Sequence, residues 1–244
     1  GFAAASAFHN NLLTINEVKK FLIDYNINVK NWGIMRIGII FSDSSNIGNI
    51  QKAILYLGYE PVLVSDKTTI PKLSHLVIPG VGSFPKMMKF LKDNELDTSI
   101  IDGAKNNLKI LGICLGMHLL FERSYEFGTT KGLSLLKGNV KKIKVVNNKK
   151  NQVPNLGYHK IYKKFKRNEY SPYDKFEKKS FYFAHSYSVN NFDEQDNEFY
   201  TIDFETKKIL AFLKNDSISG CQFHPELSGK IGLEFLKTFI DYTN

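Results

Sequence analysis

Cysteine is scarce in this sequence, which has only Cys114 and Cys221 among 244 residues. Two cysteines cannot form the disulfide framework that stabilises small secreted domains. We therefore expect a reducing, cytoplasmic setting, in which a cysteine within a glycine-rich turn is a candidate nucleophile. Long apolar runs are also missing, since no stretch approaches the roughly 18–20 apolar residues of a membrane span. We expect neither a membrane partner nor a secretory signal.

Arginine is scarce as well, because 30 of the 33 basic residues are lysine. Sites that read guanine or hold a phosphate with two hydrogen bonds favour arginine. The formal net charge of +9 therefore does not predict a nucleic-acid partner. The charge is also local, since residues 137–180 contain 14 Lys or Arg and 3 Asp or Glu, a net charge of +11. We interpret this segment as a solvated basic surface, with an acidic partner as the alternative.

The hydrophobic content of 43% is enough for one large domain, or for one domain with a short appendage. From Met35 onward, short apolar runs alternate with helical patterns, which predicts a parallel sheet covered by helices on both faces. The predicted strands are 36–41, 61–65, 75–79 and 109–113, and the predicted helices are 48–57, 85–107 with a break near Asp93, and 115–121.

The second half of the chain has a different pattern, in which apolar and polar residues alternate over short segments bounded by turn residues. These segments predict strands at 139–146, 158–162, 180–183, 198–204, 209–213 and 218–223, with a turn at 147–150 and little regular structure at 163–179. An amphipathic helix is predicted at 229–242.

The run Gly112-Ile113-Cys114-Leu115-Gly116 joins a predicted strand to a predicted helix. A tight turn of this kind holds a nucleophile in a strained conformation, and larger side chains at the glycine positions would collide. The positive end of the helix favours a thiolate, and the Leu115 amide would face a developing oxyanion. The alternative is a buried structural cysteine beside an ordinary turn.

Two further motifs follow predicted strands. In Gln222-Phe223-His224-Pro225-Glu226, His224 and Glu226 would lie on one face of an extended segment, as a base and its orienting carboxylate do. A surface His-Pro turn is the alternative. The loop Pro79-Gly80-Val81-Gly82-Ser83 lies where open α/β sheets bind ligands, although many such loops have similar sequences.

Taken together, these motifs resemble the class I glutamine amidotransferases over Met35 to about Tyr242. The matching segments are 79–82 (PGVG), 111–120 (LGICLGMHLL), 131–140 (KGLSLLKGNV), 182–187 (YFAHSY) and 220–229 (GCQFHPELSG). More narrowly, the chain resembles the glutaminase subunits of imidazole glycerol phosphate synthase, because other amidotransferases have glycine in place of Val81. The implied fold is α/β, with a mostly parallel central sheet flanked by helices and an antiparallel, β-rich second half.

The resemblance implies that Cys114 attacks the side-chain amide of glutamine, that His224 shuttles the proton and that Glu226 orients His224. It implies one oxyanion donor at Leu115 and a second at Val81 and Gly82, in a loop that reorients when the partner binds its own substrate. It also implies substrate contacts by His118, Glu126, His185, Ser186 and Tyr187. It implies no metal and no cofactor.

The resemblance also implies a partner, a (β/α)8 cyclase that receives the ammonia and makes imidazole glycerol phosphate and an aminoimidazole carboxamide ribonucleotide. Residues implied to face it are Asn155, Tyr158, His159 and Leu227. Residues 1–34 resemble the last strand and helix of that cyclase barrel, so we expect a cyclase tail joined to a glutaminase domain at 35–244. The alternative is an unrelated N-terminal extension, and the partner is either a second chain or fused to this one.

Several residues depart from the family pattern. His118 replaces a glutamine that helps hold the substrate, and Ser44-Ser45-Asn46 replaces Asp-Tyr-Gly. The four partner-facing positions also differ, with Asn155 for His, Tyr158 for Trp, His159 for Asn and Leu227 for a basic residue. These changes leave two alternatives to histidine biosynthesis: a paralogue that supplies ammonia to amidate a surface sugar, and a scaffold that keeps the fold without turnover.

Overall fold

The computed structural model describes residues 35–42, 47–80, 82–145, 153–164, 171–205 and 207–242. The predicted barrel-like segment 1–34, the Ser44–Asn46 departure, Val81 and the predicted turn at 147–150 lie outside these residues. The strands are β1 (Arg36–Ile40), β2 (Glu60–Val64), β3 (His75–Ile78), β4 (Lys109–Ile113), β5 (Phe121–Ser124), β6 (Thr130–Lys131), β7 (Leu136–Lys142), β8 (Asn155–Lys160), β9 (Tyr162–Lys163), β10 (Ser180–His185), β11 (Tyr187–Asn190), β12 (Glu198–Phe204), β13 (Lys207–Asn215) and β14 (Ile218–Cys221).

The α-helices are α1 (Gly48–Tyr56), α2 (Phe84–Asp93), α3 (Leu96–Lys105), α4 (Leu115–Leu119) and α5 (Gly229–Asp241), with 3₁₀ helices at Ile70–Lys72, Asp174–Phe176 and Pro225–Leu227. The predicted break between α2 and α3 is present, because Glu95 has a left-handed backbone with φ of 55°. Among the described residues, no helix has the length and apolar content needed to cross a bilayer.

The largest sheet has eight strands in the order β2-β1-β3-β4-β14-β13-β12-β9. The first five are parallel, and the last three are antiparallel additions at one edge. The predicted α/β class, with a parallel sheet and an antiparallel second half, is therefore confirmed. Parallel neighbours β3, β4 and β14 end at the same edge of the sheet, and the three predicted motifs follow these strands.

Alternate residues of the buried strands face opposite sides of the sheet, so the sheet separates two apolar cores. Ile37, Val77 and Leu111 pack with helices α1 and α5. Ile40 and Ile78 pack instead with helices α2, α3 and α4. Burying both faces explains why these strands read as nearly continuous apolar runs.

Two smaller sheets complete the second half: β10 pairs with β8, and four strands run in the order β11-β7-β5-β6. The single predicted strand at 158–162 is wrong. Asn155–Lys160 pairs with β10, whereas Tyr162–Lys163 pairs with β12. The buried Ile161 lies between them, and an unbroken alternation of side chains does not reveal such a change of sheet.

Three short strands were not predicted: Phe121–Ser124, Thr130–Lys131 and Tyr187–Asn190. The helix predicted at 115–121 ends at Leu119 because Phe121 already begins a strand that pairs with β7. Each of these unpredicted strands forms only two to four residue pairs with a neighbouring strand. Their formation depends on those distant partners more than on their own sequence.

An aromatic cluster beneath β14 gives a direct test of the packing. The ring of Phe235 on α5 is fully buried and lies 5.0–5.9 Å from five other aromatic rings. We expect Phe235→Ala to lower the free energy of unfolding by about 3–5 kcal/mol, because it leaves a cavity among rigid rings. Phe127→Ala is the control, since that ring is 83% exposed. Its loss should change the free energy of unfolding by no more than about 0.5 kcal/mol. Urea unfolding of both variants measures the difference, and similar losses would contradict the packing described.

Candidate active site

The candidate nucleophile lies at the end of β4, next to the ends of β3 and β14. Cys114 has φ of 52° and ψ of −106°, a conformation that non-glycine residues rarely adopt. Its backbone N–H donates to the carbonyl of Cys221 at 2.7 Å, which fastens the turn to β14. The thiol is 8% exposed.

Glycines on both sides of Cys114 allow this turn. A Cβ atom on Gly116 would lie 1.8 Å from the carbonyl oxygen of Ile78, and one on Gly112 would lie 2.5 Å from the carbonyl oxygen of Gly116. Both obstacles are backbone atoms that cannot rotate away. The predicted reason for the Gly-x-Cys-x-Gly spacing therefore agrees with the packing of α4 against β3 and β4.

His224 and Glu226 form the predicted pair, with 2.8 Å between Nδ1 and Oε1. The geometric reason given for the pair was wrong: Pro225–Leu227 is a 3₁₀ helix and not an extended segment. Burial opposes protonation of His224, but its hydrogen bonds to Cys114 and Glu226 and their charges outweigh burial and raise its pKa to about 10. Since Nδ1 contacts Glu226, Nε2 is left for the sulfur.

The backbone of His224 is fixed on both sides. Its N–H donates to the carbonyl of Tyr182 at 2.8 Å, and its own carbonyl accepts a 2.7 Å hydrogen bond from the hydroxyl of Ser228. The same hydroxyl oxygen accepts the N–H of Tyr182 at 3.0 Å. Ser228 thus joins β10 to the turn that presents His224, a role that we did not predict from the sequence.

A cleft of about 380 Å³ opens over Cys114. Its walls include every predicted substrate contact together with two predicted oxyanion donors: His118, Glu126, His185, Ser186, Tyr187, Gly82 and Leu115. Gly82 is exposed with φ of 88°, a backbone that suits glycine. The remaining predicted donor, Val81, lies outside the described residues.

Glu126 is anchored at the start of α2, where its Oε2 accepts the backbone N–H of Phe84 at 2.9 Å. Its backbone N–H donates to the hydroxyl of Ser124 at 3.1 Å. The cleft wall that contains Glu126 also contains Ser186, which lies between β10 and β11, and Tyr187, the first residue of β11. The Glu126 carboxylate is therefore placed to accept an ammonium group of a bound ligand.

Two other histidines in the cleft are neutral. Burial lowers the pKa of His118 to about 4 and that of His185 to about 3, despite hydrogen bonds that favour the charged forms. His185 donates through Nδ1 to the carbonyl of Tyr187 at 2.8 Å. Its Nε2 accepts the amide N–H of Asn155 at 2.9 Å. His185 therefore supports the cleft wall as a neutral hydrogen-bonding group.

The predicted partner-facing residues divide into two groups. Tyr158 and Leu227 are 60% and 41% exposed and are joined by a 3.0 Å hydrogen bond from the Tyr158 hydroxyl to the Leu227 carbonyl. Asn155 is only 2% exposed because it turns inward to His185. His159 is half-buried with its ring edge against Phe183. The prediction of a partner-facing side chain at Asn155 thus disagrees with its burial.

Gln222 is a further residue to which we gave no role from the sequence. It is fully buried, and its amide bonds both His118 at 2.7 Å and the Cys114 sulfur at 3.7 Å. A glutamine between apolar residues at a strand end is a usable signal, because buried amides must find partners. The signal does not reveal which partners they are.

Comparison with known families agrees with this geometry. A family model described as glutamine amidotransferase class-I matches residues 39–241. The chain belongs to the class I glutamine amidotransferases.

Among its amidotransferase relatives, imidazole glycerol phosphate synthase subunit HisH of Caldanaerobacter subterraneus subsp. tengcongensis is 38% identical over 205 residues, or 83% of this chain and 96% of that protein. The protein of that name from Lactococcus lactis subsp. lactis is 37% identical over 208 residues, or 84% of this chain and 98% of that protein. The predicted resemblance to both the family and this narrower group is confirmed.

Solved amidotransferase structures share the fold. A crystal structure described as glutamine amidotransferase has a TM-score of 0.66 at 15% identity and covers 84% of this chain and 97% of its own. The structure of PurLQS from Thermotoga maritima has a TM-score of 0.64 at 17% identity, and the match covers 85% of this chain and 98% of that chain. At these identities the likeness shows the fold alone, and it agrees with the predicted amidotransferase fold.

The His224–Glu226 contact predicts a pH effect. Glu226→Gln should lower the pKa of His224 from about 10, because the imidazolium loses its carboxylate partner. A raised pKa stabilises the folded state fully below about pH 6.5, the ordinary histidine value, and this stabilisation disappears as pH rises through about 10. The difference in unfolding free energy between wild type and Glu226→Gln should therefore be largest below about pH 6.5 and should decrease as the pH rises through about 10.

NMR titration of the His224 ring measures the pKa directly, and urea unfolding at several pH values measures the stability difference. Glu194→Gln is the matched control, because that carboxylate is exposed and remote from the cleft. A His224 midpoint that is the same in wild type and Glu226→Gln would contradict the assigned contact.

Proposed function

We propose that this chain is the glutaminase subunit of an imidazole glycerol phosphate synthase, which hydrolyses glutamine and passes the ammonia to a (β/α)8 cyclase partner. One observation carries the chemistry: a buried, strained cysteine, a protonated histidine and a carboxylate meet beneath a cleft. The cleft walls include the positions at which the family resemblance implies contacts with glutamine, with His118 in place of the family's glutamine. The names of the relatives, at 37–38% identity, support the reaction sequence.

The first half-reaction forms a thioester. The Cys114 thiolate attacks the side-chain amide carbon of glutamine, a C–S bond forms, and the carbonyl electron pair moves to oxygen. The N–H of Leu115, which begins α4 and has no partner within the helix, faces the oxyanion. His224 gives its proton to the amide nitrogen, the C–N bond breaks, and ammonia leaves.

The second half-reaction restores the enzyme. His224, now neutral, removes a proton from water, and the resulting oxygen nucleophile attacks the thioester carbon. Collapse of the tetrahedral species breaks the C–S bond and releases the product as a carboxylic acid, which loses its proton to solvent and becomes glutamate. Cys114 is again a thiolate and His224 is again protonated. Glu226 holds the Nδ1 side of the ring throughout.

Glutamine is recognised at its amino-acid end. The Glu126 carboxylate, fixed by the Phe84 N–H, takes the α-ammonium group. The backbone at Ser186 and Tyr187 holds the α-carboxylate side across the cleft. This arrangement points the side-chain amide toward Cys114 and discriminates against amides that lack the charged α-groups.

The proposed partner surface is the apolar rim, which we define as Leu156, Tyr158 and Leu227. These side chains are 61%, 60% and 41% exposed, and Leu156 also lines the active-site cleft. Apolar side chains exposed beside a reactive site mark a surface that a partner covers. A partner seated there would receive ammonia before it reaches bulk water.

Loss of the nucleophile provides the first test. Cys114→Ala should lower glutamine hydrolysis by at least about a thousandfold, since no other group can form the thioester. Cys221→Ala is the control: burial raises the pKa of the Cys221 thiol well above its usual range, so this thiol is inert, and activity should survive. Glutamate release and labelling by a glutamine-like affinity reagent measure both variants. Failure of the reagent to label Cys114 in the presence of the partner would instead indicate a scaffold.

The apolar rim provides the second test. Leu156→Asp should weaken the complex with the cyclase encoded in the same genome by about tenfold or more, because it buries a charge at the interface. Leu63→Asp is the matched control, since Leu63 is 43% exposed on β2, the outermost strand at one side of the large sheet among the described residues. Sedimentation velocity measures binding, and the cyclase-dependent rise in glutamate release measures coupling. Equal affinities for wild type and Leu156→Asp would contradict the rim as the docking surface, and ammonia transfer only to a sugar-modifying acceptor would favour the paralogue.

A further inference from the structure

A chain of hydrogen bonds runs from His118 through Gln222 to the Cys114 sulfur. The Nε2 of His118 lies 2.7 Å from Oε1 of Gln222. An amide oxygen only accepts hydrogen bonds, so His118 is the donor and carries its proton on Nε2. The low pKa of His118, caused by its burial, leaves the ring neutral.

The second hydrogen bond of this chain joins the NH₂ group of Gln222 to the sulfur of Cys114. With Oε1 held by His118, the NH₂ group of Gln222 points toward Cys114, and its Nε2 lies 3.7 Å from Sγ. Gln222 is fully buried, and its backbone N–H donates to the carbonyl of Ala211 at 2.8 Å. Backbone and side chain are thus both fixed, so the amide presents a donor to the sulfur without further ordering.

We propose that His118 and Gln222 form a positioning relay that directs an N–H donor at the nucleophilic sulfur of Cys114. The proposal rests on the glutaminase function proposed above, but assigns a role that does not require contact with the substrate. His118 acts through Gln222, so it is a positioning residue even though it borders the cleft.

The relay affects the charge of the Cys114 sulfur, because neighbouring groups have opposite effects on a thiolate. The Ala184 carbonyl oxygen lies 3.9 Å from Sγ and disfavours a negative charge there. His224 supplies one cationic donor, and Gln222 supplies a second donor. Both donors stabilise the thiolate when it attacks and again when it leaves the thioester.

Several titratable groups surround this sulfur and must be considered in any pH experiment. They are His224 and Glu226 beyond β14, Cys221 on β14, His185 on β10, His118 on α4 and Glu126 beyond β5. His118 and His185 are neutral above about pH 5. A shift of the alkylation midpoint above about pH 5 on changing Gln222 therefore does not come from either of these two rings.

The rate of Cys114 alkylation by iodoacetamide against pH, in the full chain, tests the relay without requiring turnover. Gln222→Met and His118→Leu each remove one donor at nearly constant volume, and the midpoint of the alkylation profile should rise by about half to one pH unit. His118→Gln keeps a donor at this position and should restore the midpoint. His75→Leu is the matched control, because His75 is also a buried neutral histidine but lies at the opposite end of β3.

A second measurement needs no variant. Nitrogen chemical shifts of the His118 ring in wild-type protein at pH 7 should show a neutral ring protonated on Nε2. A charged ring, or a proton on Nδ1, would overturn the relay, as would unchanged alkylation midpoints in both donor-free variants. Shifted midpoints in the two donor-free variants, together with no glutamate release by the wild-type chain and its cyclase, would instead support the relay while the proposed function fails.

Discussion

The hydrogen bond from the Cys114 N–H to the Cys221 carbonyl, 2.7 Å long, is the contact on which the rest of the site depends. It locks the strained turn after β4 to the neighbouring parallel strand β14. The chain beyond β14 then supplies Gln222 and His224 within reach of the sulfur. Because Gly116 packs directly against the Ile78 carbonyl, the same turn is also fixed to β3, and the loop that follows β3 borders the cleft.

Three imidazoles share the site, of which His118 and His185 are buried and His224 is partly buried. They differ in charge, and their neighbours decide the difference. His224 has anionic partners in Cys114 and Glu226, which raise its pKa to about 10. His118 and His185 have only an amide and a carbonyl as partners, so burial dominates and lowers their pKa values to about 4 and 3. In the proposed reaction the His224 ring moves protons, while the rings of His118 and His185 are fixed hydrogen-bonding groups. Burial alone does not assign these roles.

The sequence predicted the parallel core with accurate bounds, since the strands predicted at 36–41, 61–65, 75–79 and 109–113 agree with the structure to within one residue at each end. Apolar runs and glycine turns are local signals, and buried strands make them strong. Prediction failed where pairing with distant segments decides the structure. Phe121–Ser124 becomes a strand only because β7 lies beside it, and the segment around Ile161 changes sheet because β10 and β12 offer separate edges.

The sequence by itself identified the candidate residues of the site: a cysteine between two glycines, a histidine and a glutamate two residues apart, and Glu126 as a substrate contact. The turn around Cys114 and the family resemblance carried these predictions. Only the tertiary structure decided that Asn155 turns inward to His185, that Ser228 clamps His224 and that Gln222 spans His118 and Cys114. Each of these contacts joins residues on separate elements, and a buried polar side chain selects its partner by proximity in the folded core, which local sequence does not encode.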